Sequence, residues 1–262
     1  MTEVNKTLYI PLYGKALCSR KGIILKDKKA EEIWEKEGFP LKGKSRSKWL
    51  AYYMGMRAAV FDEWAREKCA ADECAAVLHI GCGLDARAER VGAENAWYDI
   101  DFPEVIAERR IYFKEKQNYT MIAGDVRGEA WLSAFAGVKN AIVIMEGVSM
   151  YFSPEELRAL LLRLALRFEK VSLLMDCYTV FAAKASKYKN PINDVGVTTV
   201  YGYDSGTDAA ADTGLSLICE REMTPDEKKA ELRGTEKLIF GSVYGGNIAK
   251  KMYRLYEYEK VR

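Results

Sequence analysis

Histidine and paired cysteines are scarce in this chain. Its 262 residues include one histidine and six cysteines, and no two cysteines form a C-x-x-C pair. Zinc sites are usually built from clustered cysteines and histidines, so a zinc cluster is not expected and we predict no metal site. The cysteines are instead expected to be free thiols, mostly buried, in a reducing compartment.

A surplus of charge and long apolar runs are also missing. Forty Lys and Arg residues face thirty-eight Asp and Glu residues, which leaves a formal net charge of +2. This balance gives no electrostatic reason to expect nucleic acid or a membrane as partner. The longest apolar runs, AIVIM and ALLL, are far too short to span a bilayer, and the first residues do not form a signal peptide. We therefore expect a cytoplasmic protein that acts on small molecules.

Short apolar runs separated by helical stretches dominate the chain from Ala75 onward. Runs of this kind are typical of a parallel sheet covered by helices on both faces. Two later runs with strand-like alternation predict an antiparallel hairpin added to that sheet. Together they predict an α/β fold with a mostly parallel, seven-stranded sheet. The runs are AAVLHI, NAWYDI, YTMIAG, NAIVIME and KVSLLMD, followed by LSLICEREM and MYRLYEYEK.

The chain is expected to form a single domain over residues 1–262. Its predicted parts are an N-terminal helical cap at 1–72, a ligand-binding core at 73–176, a tyrosine-rich substrate lid at 177–214, and C-terminal strands with a helix at 215–262 that complete the sheet. Tyr178, Tyr188, Tyr201 and Tyr203 are aromatic candidates for the substrate face of that lid.

Glycines and acidic residues follow the predicted parallel strands. Gly81 and Gly83 follow the first strand, Asp101 ends the second, Asp125 follows the third and Glu146 the fourth. In open parallel sheets a ligand binds beyond the carboxyl ends of the strands, where strand order reverses. Glycines allow close approach of the backbone, and a carboxylate can accept two hydrogen bonds from a ribose diol. An acid after the third strand can accept from the exocyclic amine of adenine, so the set predicts an adenosine pocket.

Two other interpretations of these residues stay open at this point. The spacing of about twenty residues from Gly81 to Asp101 also satisfies the dinucleotide fingerprint of an NAD(P)-dependent oxidoreductase. That alternative leaves Asp125 and Glu146 without a role. Asp101 is also placed to cap the helix that Pro103 opens.

Several segments together resemble the leucine carboxyl methyltransferase family, including its tetracenomycin-type bacterial O-methyltransferases. The resemblance covers roughly residues 7 to 180, and it implies a class I methyltransferase fold that uses S-adenosylmethionine. The segments that carry it are TLYIPLYGKALCSR, MRAAVFD, GCGLDARAER, YDIDFPEVI, AGDVR and EGVSMYFSPEEL.

The resemblance also implies a role for individual residues toward the cofactor. Arg57 would hold the methionine carboxylate, as a guanidinium pairs well with a carboxylate. The turn of Gly81 and Gly83 would approach the cofactor with its backbone. Asp101 would bind the ribose, Asp125 and Val126 the adenine, and Glu146 the region under the amino acid moiety. The N-terminal basic position of the family would be Arg20.

The expected reaction is methylation of a carboxylate oxygen on a small molecule or peptide. A carboxylate is ionised at neutral pH and needs no base, so no catalytic residue is assigned. The sole histidine, His79, is mid-strand and is expected to be a hydrogen-bonded core residue. There are two alternatives: an NAD(P)-dependent oxidoreductase on a Rossmann domain, and a protein that binds S-adenosylmethionine without turnover.

Overall fold

A single seven-stranded sheet organises the described part of the protein. The structure is a computed structural model, and it describes residues 5–39, 41, 43–186, 200–244 and 251–260. Strand order across the sheet is β3-β2-β1-β4-β5-β7-β6. The strands are β1 (Ala76–Ile80), β2 (Trp97–Asp101), β3 (Tyr119–Ala123), β4 (Asn140–Met145), β5 (Lys170–Tyr178), β6 (Ser216–Arg221) and β7 (Tyr253–Lys260).

The first five strands run parallel, and β7 lies antiparallel between β5 and β6. The predicted α/β sheet, mostly parallel with an antiparallel C-terminal pair, is therefore confirmed. Strand β1 has β2 on one side and β4 on the other, so strand order reverses at β1. A crevice for a ligand is expected at such a reversal, at the carboxyl ends of the strands.

Ten α-helices in the described ranges cover the sheet. The clearest capping signal in the sequence is at the start of α6 (Pro154–Arg167). There the side chain of Ser153 accepts from the backbone N–H of Glu156, and the Glu156 carboxylate accepts from the backbone N–H of Ser153. The helices are α1 (Tyr9–Lys21), α2 (Lys28–Glu37), α3 (Lys48–Ala71), α4 (Arg87–Val91), α5 (Pro103–Tyr112), α6 (Pro154–Arg167), α7 (Val180–Ala185), α8 (Gly206–Ala209), α9 (Asp226–Ala230) and α10 (Thr235–Tyr244).

The two faces of the sheet pack into two separate cores. On β4, Ile142 and Ile144 join the core that contains the N-terminal helices, whereas Ala141 and Val143 join the core that contains α6. This alternation follows from the pleat of a strand, which points successive side chains to opposite faces. Because both faces are covered, β4 is a continuous apolar run rather than an alternating one.

Two segments after β5 pack back against earlier parts of the fold. The backbone N–H of Tyr203 donates to the carbonyl of Tyr178 at 2.6 Å, so the chain after the described gap rejoins the end of β5. Residue 188 of the predicted lid lies outside the described residues. Between β6 and β7, helices α9 and α10 pack on the N-terminal helices, with Lys228 paired to Glu63 at 2.7 Å. A single joining helix was expected from the sequence, and the structure has two.

None of the helices that the structure describes has the length and hydropathy needed to cross a bilayer.

Candidate functional site

A crevice opens at the carboxyl ends of the strands where strand order reverses. It holds about 1130 Å³ of empty space, its open mouth included. Five of the residues singled out in the sequence line it: Arg57, Gly81, Gly83, Asp101 and Glu146. The fold therefore gathers the ends of β1, β2 and β4, together with an arginine of α3, around one space.

The glycine turn after β1 needs glycine for steric reasons. Gly81 and Gly83 have φ of +69° and +51°, in the left-handed region that other residues rarely adopt. A Cβ atom at Gly81 would also overlap the side chain of Val148. The Gly81 N–H donates to the carbonyl of Ile100 at 2.8 Å, which fastens the turn to the end of β2. The backbone itself forms this wall of the crevice.

Asp101 is held at the end of β2 by two backbone donors. Its carboxylate accepts from the N–H of Gly83 and from the N–H of Phe102, each at 2.8 Å. It does not cap α5, because Phe102 is the N-cap of that helix and no side chain caps it. Burial raises the pKa of Asp101. An ionised carboxylate has about four acceptor positions, so two remain for the hydroxyls of a ligand.

Arg57 reaches the crevice from α3 and contacts two carboxylates. Its Nε donates to Glu146 Oε1 at 3.0 Å, and its Nη1 donates to Asp176 Oδ2 at 2.8 Å. The backbone N–H of Gly147 donates to the other oxygen of Asp176 at 2.5 Å. The sequence analysis missed Asp176, which lies near the end of β5. Like Glu146 it is found at a strand end, but no motif in the sequence marks it. Burial raises the pKa of Asp176, against the effect of the adjacent Arg57.

The charged side chains continue as a buried network behind the crevice. Glu146 also bonds Arg87, which pairs with Asp62 at 2.7 Å, and Asp85 pairs with Lys15 at 3.1 Å. Burial by itself would raise the pKa of Glu146, but the guanidinium groups of Arg87 and Arg57 outweigh burial and lower this pKa to about 2.

The network carries one net negative charge, because its carboxylates outnumber its cations by five to four. The charges of this network therefore compensate one another almost completely. The members are Asp27, Asp62, Asp85, Glu146 and Asp176 with Lys15, Arg57, Arg87 and Arg90.

Of the basic residues on α1, Lys15 lines the crevice and Arg20 does not, and the cofactor role implied for Arg20 stays a prediction. Lys15 is buried and lines the space, whereas the side chain of Arg20 is solvent-accessible, pairs with Glu35 at 2.7 Å and does not line it. Both residues belong to α1. At 3.6 residues per turn, five positions rotate a side chain by about 140°, so only one of the two can point at the crevice.

The structure does not bring Asp125 and Val126 to the lining of the crevice. Asp125 is exposed and its carboxylate accepts from the N–H of Arg127 at 3.0 Å, a local turn that directs it to solvent. Val126 is buried in the core that contains α6. Arg127 lines this end of the crevice instead, with its guanidinium carbon 5.8 Å from the ring centres of Phe102 and Phe152. The adenine role implied for Asp125 and Val126 stays a prediction.

The sole histidine belongs to a buried hydrogen-bond network at the floor of the crevice. His79 Nδ1 lies 3.0 Å from Asp99 Oδ1, and Arg109 and Tyr119 also bond the Asp99 carboxylate. Burial would raise the pKa of Asp99, but Arg109 and His79 lower it to about 2. His79 thus occupies the core position that its sequence context predicted. In the ranges that the structure describes, no three His, Cys, Asp or Glu side chains are grouped as metal ligands.

Comparisons with known proteins identify relatives in sequence. The family profile described as leucine carboxyl methyltransferase matches residues 3–165. The tetracenomycin polyketide synthesis O-methyltransferase TcmP of Streptomyces glaucescens is 27% identical over 245 residues, which cover 91% of this chain and 90% of that protein.

Solved structures show the same fold at low sequence identity. Magnesium protoporphyrin IX methyltransferase (ChlM) from Synechocystis PCC 6803, with bound SAH, superimposes with a TM-score of 0.52 at 13% identity, covering 89% of this chain and 93% of that one. The geranyl diphosphate C-methyltransferase of Streptomyces coelicolor A3(2) gives a TM-score of 0.51 at 14% identity, covering 86% and 84%. These likenesses confirm the predicted class I methyltransferase fold.

The family match spans more than half of the chain and includes the glycine turn and the ends of β2 and β4. The predicted enzyme class and cofactor are confirmed at the level of the family. The chain belongs to the leucine carboxyl methyltransferase family of S-adenosylmethionine-dependent enzymes.

Proposed function

We propose that this protein transfers the methyl group of S-adenosylmethionine to a carboxylate oxygen of a small molecule or peptide. The observation that carries the proposal is the row of groups along the crevice: Asp101 at the end of β2, the glycine turn after β1, and Glu146 with Arg57 at the end of β4. The relative TcmP is an O-methyltransferase by name, which supports an oxygen acceptor for this chain.

The residues present fit the cofactor. Asp101 retains acceptor positions for ribose hydroxyls, the turn at Gly81 offers backbone without a side chain, and Arg57 offers a guanidinium for a carboxylate. When bound, S-adenosylmethionine supplies a methyl group that its positive sulfur activates for displacement.

The protein's part in such a transfer is to position the acceptor and exclude water. A carboxylate is ionised at neutral pH, so no general base is required to make it a nucleophile. This agrees with the engagement of His79 by Asp99 on the crevice floor. Alignment of two reactants in a dry site accounts for a large part of the rate enhancement of such a displacement.

Thermal unfolding with added ligands tests the cofactor. S-adenosylmethionine and its demethylated product should raise the midpoint in a concentration-dependent manner, because each binds the folded state. NAD and NADP should leave the midpoint unchanged. A rise with NAD alone would support the oxidoreductase alternative and overturn the proposal.

A label-release assay tests the acceptor atom. With S-adenosylmethionine labelled in its methyl group and a pool of organic acids, product carrying a methyl ester should release labelled methanol on mild alkaline hydrolysis. A methyl ether would keep its label under the same treatment, and would identify a hydroxyl acceptor. Cofactor binding without any labelled product would identify a binding protein.

A further inference from the structure

The glycine turn of the crevice is held through both backbone polar groups of Gly83. The N–H of Gly83 donates to the Asp101 carboxylate at 2.8 Å. The carbonyl oxygen of Gly83 accepts from Nη1 of Arg109, a residue of α5, at 2.9 Å. Gly83 is therefore tied to the acid that is assigned to the ribose and to an arginine that has no role in the cofactor assignments.

A second carbonyl of the same turn bonds the same arginine. Nη2 of Arg109 donates to the carbonyl oxygen of Asp85 at 2.6 Å. Gly83, Leu84 and Asp85 all line the crevice, whereas Arg109 does not. One guanidinium thus bridges two residues of the crevice wall from outside the lining.

The other contacts of Arg109 fix the orientation of its guanidinium. Nε donates to the hydroxyl of Tyr119 at 3.1 Å, and Nη2 also bonds the carboxylate of Asp99. The guanidinium carbon lies 4.1 Å from the ring centre of Phe113. Arg109 is fully buried, so solvent water does not compete for these bonds. A planar group held at its edges and packed against a ring has little freedom to rotate.

Asp99 connects this arginine to the middle of β2. The carboxylate of Asp99 accepts from Trp97 Nε1 at 3.0 Å and from the Tyr119 hydroxyl at 2.6 Å, in addition to Arg109. Asp99 is fully buried, and a buried carboxylate with several donors is confined to one position. A continuous series of contacts therefore runs from the sheet through Asp99 and Arg109 to the glycine turn.

We propose that Arg109 is a positioning residue for the cofactor, which holds the carbonyl groups of Gly83 and Asp85 so that the glycine turn has its binding conformation before the cofactor arrives. This inference rests on the proposed function, since it concerns the turn that is assigned to the cofactor.

The composition of the turn explains why a side chain from another helix is needed. Gly81 and Gly83 let the backbone approach a ligand, but glycine also has the largest conformational freedom of any residue. A guanidinium offers five N–H donors in one plane, so it can bridge two carbonyls and still bond a carboxylate. A lysine ammonium offers three donors on a single nitrogen, and we expect it to keep the pairing with Asp99 but not both carbonyl bonds.

Binding of the demethylated cofactor to Arg109→Lys tests the proposal. If the turn of this variant has its binding conformation for about a tenth of the time, the dissociation constant measured by calorimetry rises about tenfold. Arg110→Lys is the matched control, because Arg110 is the next residue of α5, is exposed, and donates to the carbonyl of Met121 rather than to the turn. We expect its affinity to equal that of the wild type.

Tyr119→Phe separates positioning from general stability. This change removes a hydroxyl that bonds Arg109 and Asp99, but it leaves both bonds from Arg109 to the turn in place. Urea denaturation should show a lower free energy of unfolding for Tyr119→Phe and for Arg109→Lys, whereas only Arg109→Lys should bind the cofactor more weakly. Equal weakening in the two variants, or an unchanged affinity in Arg109→Lys, would overturn the inference.

Hydrogen exchange of the wild type tests the same claim without a variant. The amides of residues 81–86 should be protected before the cofactor is added, because the turn is already held. Rapid exchange there, with protection only after the demethylated cofactor is added, would contradict the role of Arg109. If the wild type fails to bind that cofactor, the proposed function fails. If the wild type binds it and Arg109→Lys binds it equally well, the role of Arg109 alone fails.

Discussion

The guanidinium Nη1 of Arg57 lies 2.8 Å from Oδ2 of Asp176, although 119 residues separate them in the sequence. This contact joins a helix of the N-terminal layer to the end of β5. With the bond from Arg57 to Glu146, it gives the arginine two buried carboxylate partners. The same arginine is the group that the family resemblance assigns to the methionine carboxylate of the cofactor.

Removal of this arginine should destabilise the protein as well as weaken cofactor binding. Arg57→Met leaves Glu146 and Asp176 buried without their shared cation, which typically costs about 3–5 kcal/mol in the free energy of unfolding. Urea denaturation of the variant measures this loss. Arg20→Met is the control, and it should change the free energy by less than about 1 kcal/mol because its ion pair is at the surface.

A double variant identifies the cause of that loss. Arg57→Met combined with Asp176→Asn should be less destabilised than the sum of the single changes, because the amide carries no charge to leave unpaired. Strict additivity of the two free energies would show that the pair is not coupled.

Asp101→Asn should weaken binding of the demethylated cofactor about 10- to 100-fold, the usual effect of losing hydrogen bonds to a charged group. Isothermal calorimetry measures the dissociation constant. Asp125→Asn provides the comparison, since Asp125 is exposed and outside the crevice lining, and we expect a smaller effect there. An unchanged affinity in the Asp101 variant would contradict the ribose assignment.

Gly81→Ala should destabilise the protein more than Gly137→Ala. Both glycines have positive φ, +69° and +82°, so each alanine adds backbone strain of about 1 kcal/mol. Only at position 81 does the new methyl group also overlap Val148, whereas nothing lies within 4 Å at Gly137. Thermal or urea unfolding measures the difference.

Val148→Ala should recover most of that extra loss in the Gly81 variant, because it removes the overlapping methyl groups. If the Gly81 and Gly137 variants unfold with the same free energy, steric contact with Val148 is not what requires glycine in the turn.

The stabilising effect of Glu146 should depend on pH in a predictable direction. Its pKa of about 2 in the folded state lies below the ordinary value of 4.5. A depressed carboxyl pKa stabilises the fold at pH values above the ordinary pKa, and this stabilisation is lost as the pH falls toward 2.

Urea denaturation of the wild type and of Glu146→Gln between pH 6 and pH 2.5 tests this expectation. The difference in free energy of unfolding should shrink as the pH falls. A difference that stays constant over the range would show that ionisation of Glu146 does not stabilise the fold.

Much of the fold was predictable from local patterns in the sequence. The apolar runs gave all seven strands, and the reciprocal cap of Ser153 and Glu156 gave the start of α6. These signals are local, so the sequence carries them directly. The insertion of β7 between β5 and β6 was not predictable in the same way, because pairing depends on contacts between distant segments.

The part of the site at the strand ends was predictable from the strand pattern, whereas Arg57 of α3 came from the family resemblance. Gly81, Asp101 and Glu146 follow strands, and the sheet places them in one crevice. Lys15 lines the crevice and was not singled out in the sequence, because residue type does not show which face of α1 points to the crevice. The cofactor role implied for Arg20 stays a prediction.

A crystal structure of the complex with the demethylated cofactor tests the central claim most directly. We predict ribose hydroxyls within about 3.2 Å of the Asp101 carboxylate, a hydrogen-bonding distance. The amino acid end should lie at Arg57. A cofactor that is absent from the Asp101 end of the crevice would contradict the account.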